Sequence, residues 1–214
     1  MKRIWAAVLA ALLFATAPAF SMDWSKVADR LKAASFELRN ADGKGYCTGF
    51  PTHESKDYAL TAAHCVVAHS TEPGDEGTFL YAPYVDGKEA VILEFNEELD
   101  WAALYIGPSS RPALEISQYP ARMGQEFGSF GFALEIKLHE HFRVGHIAAV
   151  NARVDYLPGL WVVTDQPYIG GMSGGPVVNL DGKLIAMVQR SDRKLIGVGK
   201  SALEIYRSSK KYWD

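Results

Sequence analysis

The chain is cut into many short apolar runs, and this spacing limits the folds that are open to it. After about residue 34, such runs alternate with turn residues roughly every dozen positions. The runs are Phe36 to Leu38, Ala90 to Phe95, Trp101 to Ile106, His141 to Val154, Leu160 to Thr164, Pro176 to Asn179, Lys183 to Gln189 and Leu195 to Gly199. The pairs Asp42-Gly43, Asp86-Gly87 and Asp181-Gly182 are typical of hairpin turns. Short strands with glycine-rich turns predict an all-β barrel or sandwich.

Two terminal segments follow a helical pattern instead. The pattern over residues 23–34 predicts a short N-terminal helix whose buried face carries Trp24, Val27, Leu31 and Ala34. Residues 202–213 predict a closing C-terminal helix, with Leu203, Tyr206 and Lys210 falling roughly on one side. Between the β segments, residues 111–123 hold two prolines and have weak periodicity. We therefore place a boundary between two β units at about residues 110–122.

The first residues have the pattern of an export signal. Lys2 and Arg3 precede the apolar stretch Ile4 to Ala15, and Ala17-Pro18-Ala19 fits a cleavage site, although a cut after Ser21 also fits. The alternative is a membrane anchor, but the apolar stretch is shorter than the ~20 residues that span a bilayer. We predict a signal peptide over 1–19, a single domain over 20–214, and a periplasmic or secreted protein without a stable membrane anchor.

The charge balance argues against a nucleic-acid partner. The whole chain has 22 basic and 25 acidic residues, a net charge of −3. Loss of residues 1–19 removes one Lys and one Arg but no acid, so the net charge becomes −5. No basic tract of the kind that neutralises a phosphate backbone is present in the sequence.

Cys47 and Cys65 are the only cysteines. An even number in an exported chain predicts one disulfide, with two free buried thiols as the alternative. Counting both ends, the bridge would close a segment of 19 residues, which corresponds to roughly 3 kcal/mol in the loop-entropy treatment.

The run Gly170-Gly171-Met172-Ser173-Gly174-Gly175-Pro176 is the most specific motif. A serine hydroxyl needs an adjacent base to become a nucleophile, and backbone N–H groups to stabilise the oxyanion formed on attack. Glycines before Ser173 let the chain turn so that the N–H groups of Gly171 and Ser173 converge. The alternative is a plain glycine-rich turn that leads into a strand at Pro176.

A histidine and an aspartate complete a possible catalytic set. His64 lies in Thr61-Ala62-Ala63-His64-Cys65 at the end of an apolar run, and imidazole exchanges protons near neutral pH. Asp100 directly precedes the apolar segment that begins at Trp101. It is a candidate for orienting the imidazole, with a strand-end cap as the alternative.

Chain order distinguishes between two kinds of serine hydrolase. Gly171-Met172-Ser173-Gly174-Gly175 also fits the nucleophile elbow G-x-S-x-G, in which the histidine follows the serine. All six histidines precede Ser173, and the last is His146. The order His64, Asp100, Ser173 is instead that of the chymotrypsin-type arrangement.

On these three motifs the chain resembles trypsin-like (chymotrypsin-fold) serine proteases, over roughly residues 34–200. Within them it is most similar to the bacterial high-temperature-requirement proteases and glutamyl endopeptidases. The resemblance implies a chymotrypsin-like double barrel, two six-stranded Greek-key β-barrels at about 34–110 and 122–200, with short terminal helices. It also implies that Cys47-Thr48-Gly49-Phe50 carries the disulfide partner of Cys65.

The resemblance implies a serine endopeptidase that works through an acyl-enzyme. Ser173 would attack, His64 would shuttle the proton, Asp100 would orient His64, and the Gly171 and Ser173 N–H groups would bind the oxyanion. An inactive or ligand-activated homologue that acts as a binding protein is the alternative. We expect a polypeptide substrate, no cofactor and a monomer.

Three positions depart from the digestive trypsins. Met172 replaces the aspartate that pairs with a freed N-terminus, and Pro167 replaces the aspartate that gives Arg/Lys specificity. Tyr168 follows and would narrow the pocket. The strand expected to bind the substrate backbone runs from Val188 through Gln189 and Arg190 to Ser191. Arg190 would either favour acidic substrate side chains or point to solvent.

His139-Glu140-His141 places two imidazoles on one face of a strand. The sequence offers no evident third ligand, so we favour a solvated hairpin over a metal site.

Overall fold

The computed structural model describes residues 23–53, 57–69, 78–134, 140–154, 157–192 and 196–214. The predicted signal peptide and His139 lie outside these ranges. The described residues form an almost wholly β structure with two short α-helices, α1 (Ser25–Ala34) and α2 (Ala202–Ser209). No helix in this part of the chain has the length and apolar content needed to cross a bilayer.

The first half of the described chain forms a curled sheet. Its strands are β1 (Phe36–Arg39), β2 (Gly45–Pro51), β3 (Tyr58–Thr61), β6 (Tyr84–Val85), β7 (Lys88–Glu89), β8 (Val91–Asn96) and β9 (Trp101–Tyr105), and β4 (Val67–His69) pairs separately with β5 (Thr78–Leu80). The large sheet has the order β7-β6-β1-β2-β3-β9-β8. Only Ala90 separates the edge strands β7 and β8 in the chain, so the sheet must curl until its two edges approach each other.

The prediction of an all-β double barrel is confirmed, with one difference in this first unit. The resemblance implies six strands, whereas the curled sheet has seven and a separate hairpin. The seventh strand arises because Asp86 and Gly87, both with positive φ, form a tight turn that adds the β6–β7 hairpin to one edge.

The second half forms a closed six-stranded barrel, as the resemblance implies. Its strands are β10 (Glu126–Phe132), β11 (Glu140–Val154), β12 (Leu157–Thr164), β13 (Pro176–Val178), β14 (Leu184–Asp192) and β15 (Ile196–Ser201). They close in the order β10-β11-β12-β15-β14-β13. Buried apolar side chains such as Phe127, Ile147, Val177 and Ile185 fill the interior.

A shared core joins the two units and both helices. Phe50, Leu60 and Trp101 from the curled sheet pack with Phe130 and Met187 from the barrel. Leu31 and Ala34 of α1 are fully buried there, which confirms the predicted face of that helix. The C-terminal helix is confirmed, but its buried side differs from the expected one and carries Ala202, Ile205, Ser209 and, in the following turn, Tyr212. The shared core fixes the strand ends that face each other across the cleft between the units.

Cys47 and Cys65 form a disulfide with their Cα atoms 6.1 Å apart, which confirms the predicted pairing. The bridge ties β2 to the turn that carries His64. We expect reduction to lower the free energy of unfolding by roughly 3 kcal/mol, because the unfolded chain loses a loop constraint. The melting temperature should therefore fall by about 6–12 °C, measured by circular dichroism with and without reductant. The Cys47→Ala/Cys65→Ala double variant is the control, and its melting temperature should be the same with and without reductant. An equal melting temperature for the native chain in both conditions would contradict the expectation.

Candidate active site

The pairing of β3 with β9 places His64 beside Asp100. Thr61 of β3 lies opposite Ala102 of β9. His64 follows Thr61 in the next turn, and Asp100 comes just before β9. One carboxylate oxygen of Asp100 accepts the backbone N–H of His64 at 3.0 Å, and the other lies 2.8 Å from the ring Nδ1. The carboxylate thus fixes both the turn and the ring. Nδ1 is engaged, so Nε2 is the ring nitrogen left for chemistry.

Asp100 is itself held tightly. It is buried, and its φ of +50° lies in the left-handed region that few residues other than glycine, asparagine and aspartate adopt. Its backbone carbonyl accepts a hydrogen bond from the side-chain amide of Gln189 at 2.9 Å. A strand-end cap alone would not require both carboxylate oxygens to face one histidine.

Ser173 lies on the barrel side of the cleft, in the turn that leads into β13. Its Oγ donates a hydrogen bond to the backbone carbonyl of Gln189 at 2.9 Å. The structure therefore brings His64 and Asp100 into contact, while the Ser173 hydroxyl points to Gln189 rather than to His64. Its backbone carbonyl lies 3.9 Å from the sulfur of Cys65, the neighbour of His64.

Several backbone groups of the turn around Ser173 are hydrogen-bonded to other backbone groups. The carbonyl of Gly170 accepts the N–H of Leu134 at 2.8 Å, and that of Met172 accepts the N–H of Gly175 at 2.9 Å. The N–H of Met172 donates to Ile169 at 3.0 Å. Because these groups are paired, the peptide units around Ser173 have defined orientations.

The N–H groups of Gly171 and Ser173 remain available. Within the described residues, neither Gly171 nor Ser173 donates its N–H to an acceptor. Gly171 has a φ of +92°, and a Cβ there would lie 2.2 Å from the carbonyl oxygen of Phe132. Only glycine fits this position, and the role of the two N–H groups as oxyanion donors stays a prediction.

Met172 anchors the same turn from below. Its side chain is fully buried in the barrel interior, where Phe127, Ile147 and Val177 also lie. A Cβ on Gly131 would lie 2.9 Å from the Cα of Met172, so β10 passes very close to the turn. Apolar burial thus occupies the position where digestive trypsins have an ion pair.

A cleft of about 380 Å³ opens next to Ser173. Of the predicted substrate-contacting residues, Pro167, Tyr168 and Arg190 line it, and Gln189 does not. The Gln189 side chain is fully buried and turned toward Asp100. Tyr168 is buried in the wall, and this burial raises the pKa of its phenol.

Arg190 joins this cleft to a second one beside the histidine. That second cleft, of about 170 Å³, is lined by His64, His69, Glu97, Glu98 and Arg190, among others. Arg190 is exposed and forms no ion pair with another described residue. An extended peptide that contacted Arg190 would therefore lie beside both Ser173 and His64.

The one group of three potential ligand atoms among the described residues lacks the chemistry to hold an ion, and the candidate pair His139 and His141 lies partly outside those residues. Ligand atoms of Cys47, His64 and Cys65 lie within 4.8 Å of one another. Both sulfurs are joined in the disulfide, so the thiolates that would bind a metal are absent. His141 accepts a hydrogen bond from Arg143 at 2.8 Å, and burial together with this cation lowers the pKa of the imidazole.

Residues 47–187 match the family model described as "Trypsin-like peptidase domain". No curated protein sequence matches the chain significantly. Among solved structures, the active form of the Rv3671c protease from M. tuberculosis is similar, with a TM-score of 0.64, 22% identity, and 87% of this chain and 83% of that chain covered. The HtrA-type protease AlgW with a tripeptide is similar with a TM-score of 0.68 and 18% identity, and the match covers 90% of this chain and 64% of that chain. The serine endoprotease from Yersinia pestis is similar with a TM-score of 0.63 and 19% identity, and the match covers 87% of this chain and 66% of that chain.

Proposed function

Because the chain belongs to the trypsin-like peptidase family, we propose that it is a serine endopeptidase that hydrolyses peptide bonds of polypeptides through an acyl-enzyme. The observation that carries the proposal is the double contact of Asp100 with the backbone and the ring of His64. This contact leaves the imidazole with one free nitrogen, and the family motif supplies Ser173 across the cleft.

In the first half of the proposed reaction, the Ser173 hydroxyl turns from the Gln189 carbonyl toward Nε2 of His64. Oγ attacks the scissile carbonyl carbon while its proton passes to Nε2, and Asp100 stabilises the imidazolium that forms. The N–H groups of Gly171 and Ser173 donate to the oxyanion. The C–N bond then breaks as His64 returns the proton to the leaving amine, and the acyl group stays on Oγ.

In the second half, water replaces the amine. His64 removes a proton from the water as its oxygen attacks the acyl carbon, and the same two N–H groups stabilise the second oxyanion. When the C–Oγ bond breaks, Oγ takes the proton back from His64. The products are a carboxylic acid and free Ser173, so no cofactor is consumed.

The proposal is tested by incubating residues 20–214 with unfolded casein and identifying new amino termini by mass spectrometry. We expect cleavage inside the casein chains that persists in the presence of a metal chelator. Casein that stays intact with a folded, disulfide-bonded preparation would contradict an endopeptidase.

The bond from Ser173 Oγ to the Gln189 carbonyl also supports a second candidate, a homologue that ligand binding activates. A peptide bound away from the position of the scissile bond would then be needed to release the hydroxyl toward His64. Pre-incubation with a non-cleavable peptide discriminates the two, because it raises the hydrolysis rate of a ligand-activated protein and lowers that of a constitutive one by competition.

Export and a monomeric state are proposed from the sequence. The intact mass of protein recovered outside the cytoplasm tests the first, since cleavage would leave Phe20 or Met22 as the first residue. Light scattering of that protein tests the second.

A further inference from the structure

Thr48 of β2 connects the curled sheet to the turn that carries Ser173. The side chain is fully buried, and its hydroxyl donates to the carbonyl of Gly171 at 2.8 Å. Its backbone N–H donates to the carbonyl of Ser173, also at 2.8 Å. One residue of the first unit therefore holds the carbonyls of Gly171 and Ser173, the two residues proposed as oxyanion donors.

The direction of the Thr48 hydroxyl is fixed by a second partner. Oγ1 accepts the N–H of Phe132, at the end of β10, at 3.0 Å. This bond occupies one lone pair of Oγ1 and fixes the orientation of the hydroxyl, whose single proton is donated to the Gly171 carbonyl. The carbonyl of Thr48 in turn accepts the hydroxyl of Thr61 at 2.8 Å. The Thr48 and Thr61 hydroxyls and the Gly171 carbonyl are buried, where an unpaired polar atom is costly.

The Gly171 carbonyl depends on this hydroxyl more than the other carbonyls of the turn depend on their partners. Those of Gly170 and Met172 accept backbone N–H groups, which no substitution short of proline removes. Gly171 lacks a side chain, so its peptide units rotate more freely than those of other residues. The planar unit that contains the Gly171 carbonyl carries the N–H of Met172, and it joins the unit that carries the Gly171 N–H to the unit that carries the Ser173 N–H. Rotation of this connecting unit would displace both proposed oxyanion donors.

We infer that Thr48 is a positioning residue that aims the N–H groups of Gly171 and Ser173, and this inference rests on the proposed function. Its neighbour Cys47 is bonded to Cys65, next to His64. The same short piece of β2 therefore fixes the serine turn through Thr48 and the histidine turn through the disulfide.

Two substitutions at this position separate the hydroxyl from its volume. Thr48→Val keeps the shape but leaves the Gly171 carbonyl and the Phe132 N–H unpaired, whereas Thr48→Ser keeps the hydroxyl. Small misplacement of catalytic donors is expensive, so we expect Thr48→Val to lower kcat by about 10- to 100-fold with KM within about threefold. Thr48→Ser should restore kcat to within about threefold of the parent.

Thr52→Val is the matched control. Thr52 is buried too, and its hydroxyl donates to a backbone carbonyl, that of Tyr212 at 2.5 Å, outside both clefts beside the proposed triad. It should lower the melting temperature as Thr48→Val does and leave kcat unchanged. If both valine variants lose stability and neither loses kcat, Thr48 is only structural and the inference is wrong.

Hydrogen–deuterium exchange of the fragment that contains Gly170 to Gly175 provides a readout independent of turnover. We expect faster exchange in Thr48→Val than in the parent, Thr48→Ser or Thr52→Val, because the turn loses its anchor. Should Thr48→Val fail to fold, Thr48→Ala takes its place. Unchanged exchange in this fragment would overturn the inference whether or not the protein cleaves peptides. Faster exchange in a protein that shows no hydrolysis would instead sink the proposed function and leave the positioning role intact.

Discussion

Replacement of Ser173 by alanine is expected to lower kcat by about 10⁴- to 10⁶-fold, because the acyl-enzyme cannot form without Oγ. The fold should persist, since the Ser173 side chain makes a single hydrogen bond, to the Gln189 carbonyl. Steady-state hydrolysis of an internally quenched peptide measures kcat, and circular dichroism verifies that the variant is folded.

Ser117→Ala is the matched control for this change. Ser117 is buried, and like Ser173 it donates its hydroxyl to a backbone carbonyl, that of Tyr119 at 2.8 Å, outside both clefts beside the proposed triad. The variant loses this bond and the one that Oγ accepts from the N–H of Tyr119 at 3.2 Å, and it should keep full activity. Substantial turnover by folded Ser173→Ala, beyond the level of a mock preparation, would remove Ser173 from the mechanism.

Asp100→Asn is expected to lower kcat by about 10⁴-fold at neutral pH. The asparagine oxygen can still accept the backbone N–H of His64, but its NH₂ group then faces Nδ1. This contact favours the tautomer that carries hydrogen on Nε2, which cannot accept the proton of Ser173. Asparagine tolerates the positive φ of position 100 well, so the loss should not arise from backbone strain.

The chain contains a control with the same geometry. The carboxylate of Asp165 accepts the backbone N–H of His146 at 2.7 Å and lies 3.2 Å from its Nδ1, as Asp100 does for His64. This second pair is solvent-exposed and lies outside both clefts. Asp165→Asn should therefore leave kcat within about twofold, as expected for a surface site. Equal activity losses in the two asparagine variants would indicate a general effect on folding, not an orienting role for Asp100.

Much of the fold can be predicted from local sequence patterns, namely turn residues and the spacing of apolar residues. The Asp86-Gly87 pair predicts a tight turn because glycine accepts positive φ, and the structure forms one there. The apolar spacing of Trp24, Val27, Leu31 and Ala34 predicts one helix face, and the last two are fully buried. In the C-terminal helix the same reasoning selects the wrong side, because Ser209 is buried through its hydrogen bond to Ile205.

The side chain of Gln189 shows where pattern reasoning stops. In a regular strand, alternate residues face the same side. The register between β14 and β15 shifts between Val188 and Arg190, so Gln189 is a bulged residue whose direction does not follow alternation. It turns inward to Asp100, while Arg190 lines the cleft that both were predicted to line.

Long-range contacts limit what can be predicted about the site. The motif residues His64, Asp100 and Ser173 are visible because each requires a distinctive local sequence. Thr48 has no such signal, since its partners Phe132 and Gly171 are 84 and 123 residues away in the chain. Its only clue is its place beside Cys47, which indicates proximity to His64 but nothing about the serine turn.

Labelling with a fluorophosphonate tests the central claim most directly, because the serine Oγ displaces fluoride from the reagent and becomes phosphonylated only when a base and an oxyanion site activate it. Trypsin releases a peptide from Val154 to Lys183 in which Ser173 is the only serine, so mass mapping locates the adduct without ambiguity. We predict one adduct on this peptide in the parent protein and none in Ser173→Ala. A folded, disulfide-bonded parent that gains no adduct there, with or without added peptide, would contradict the assignment of Ser173 as nucleophile.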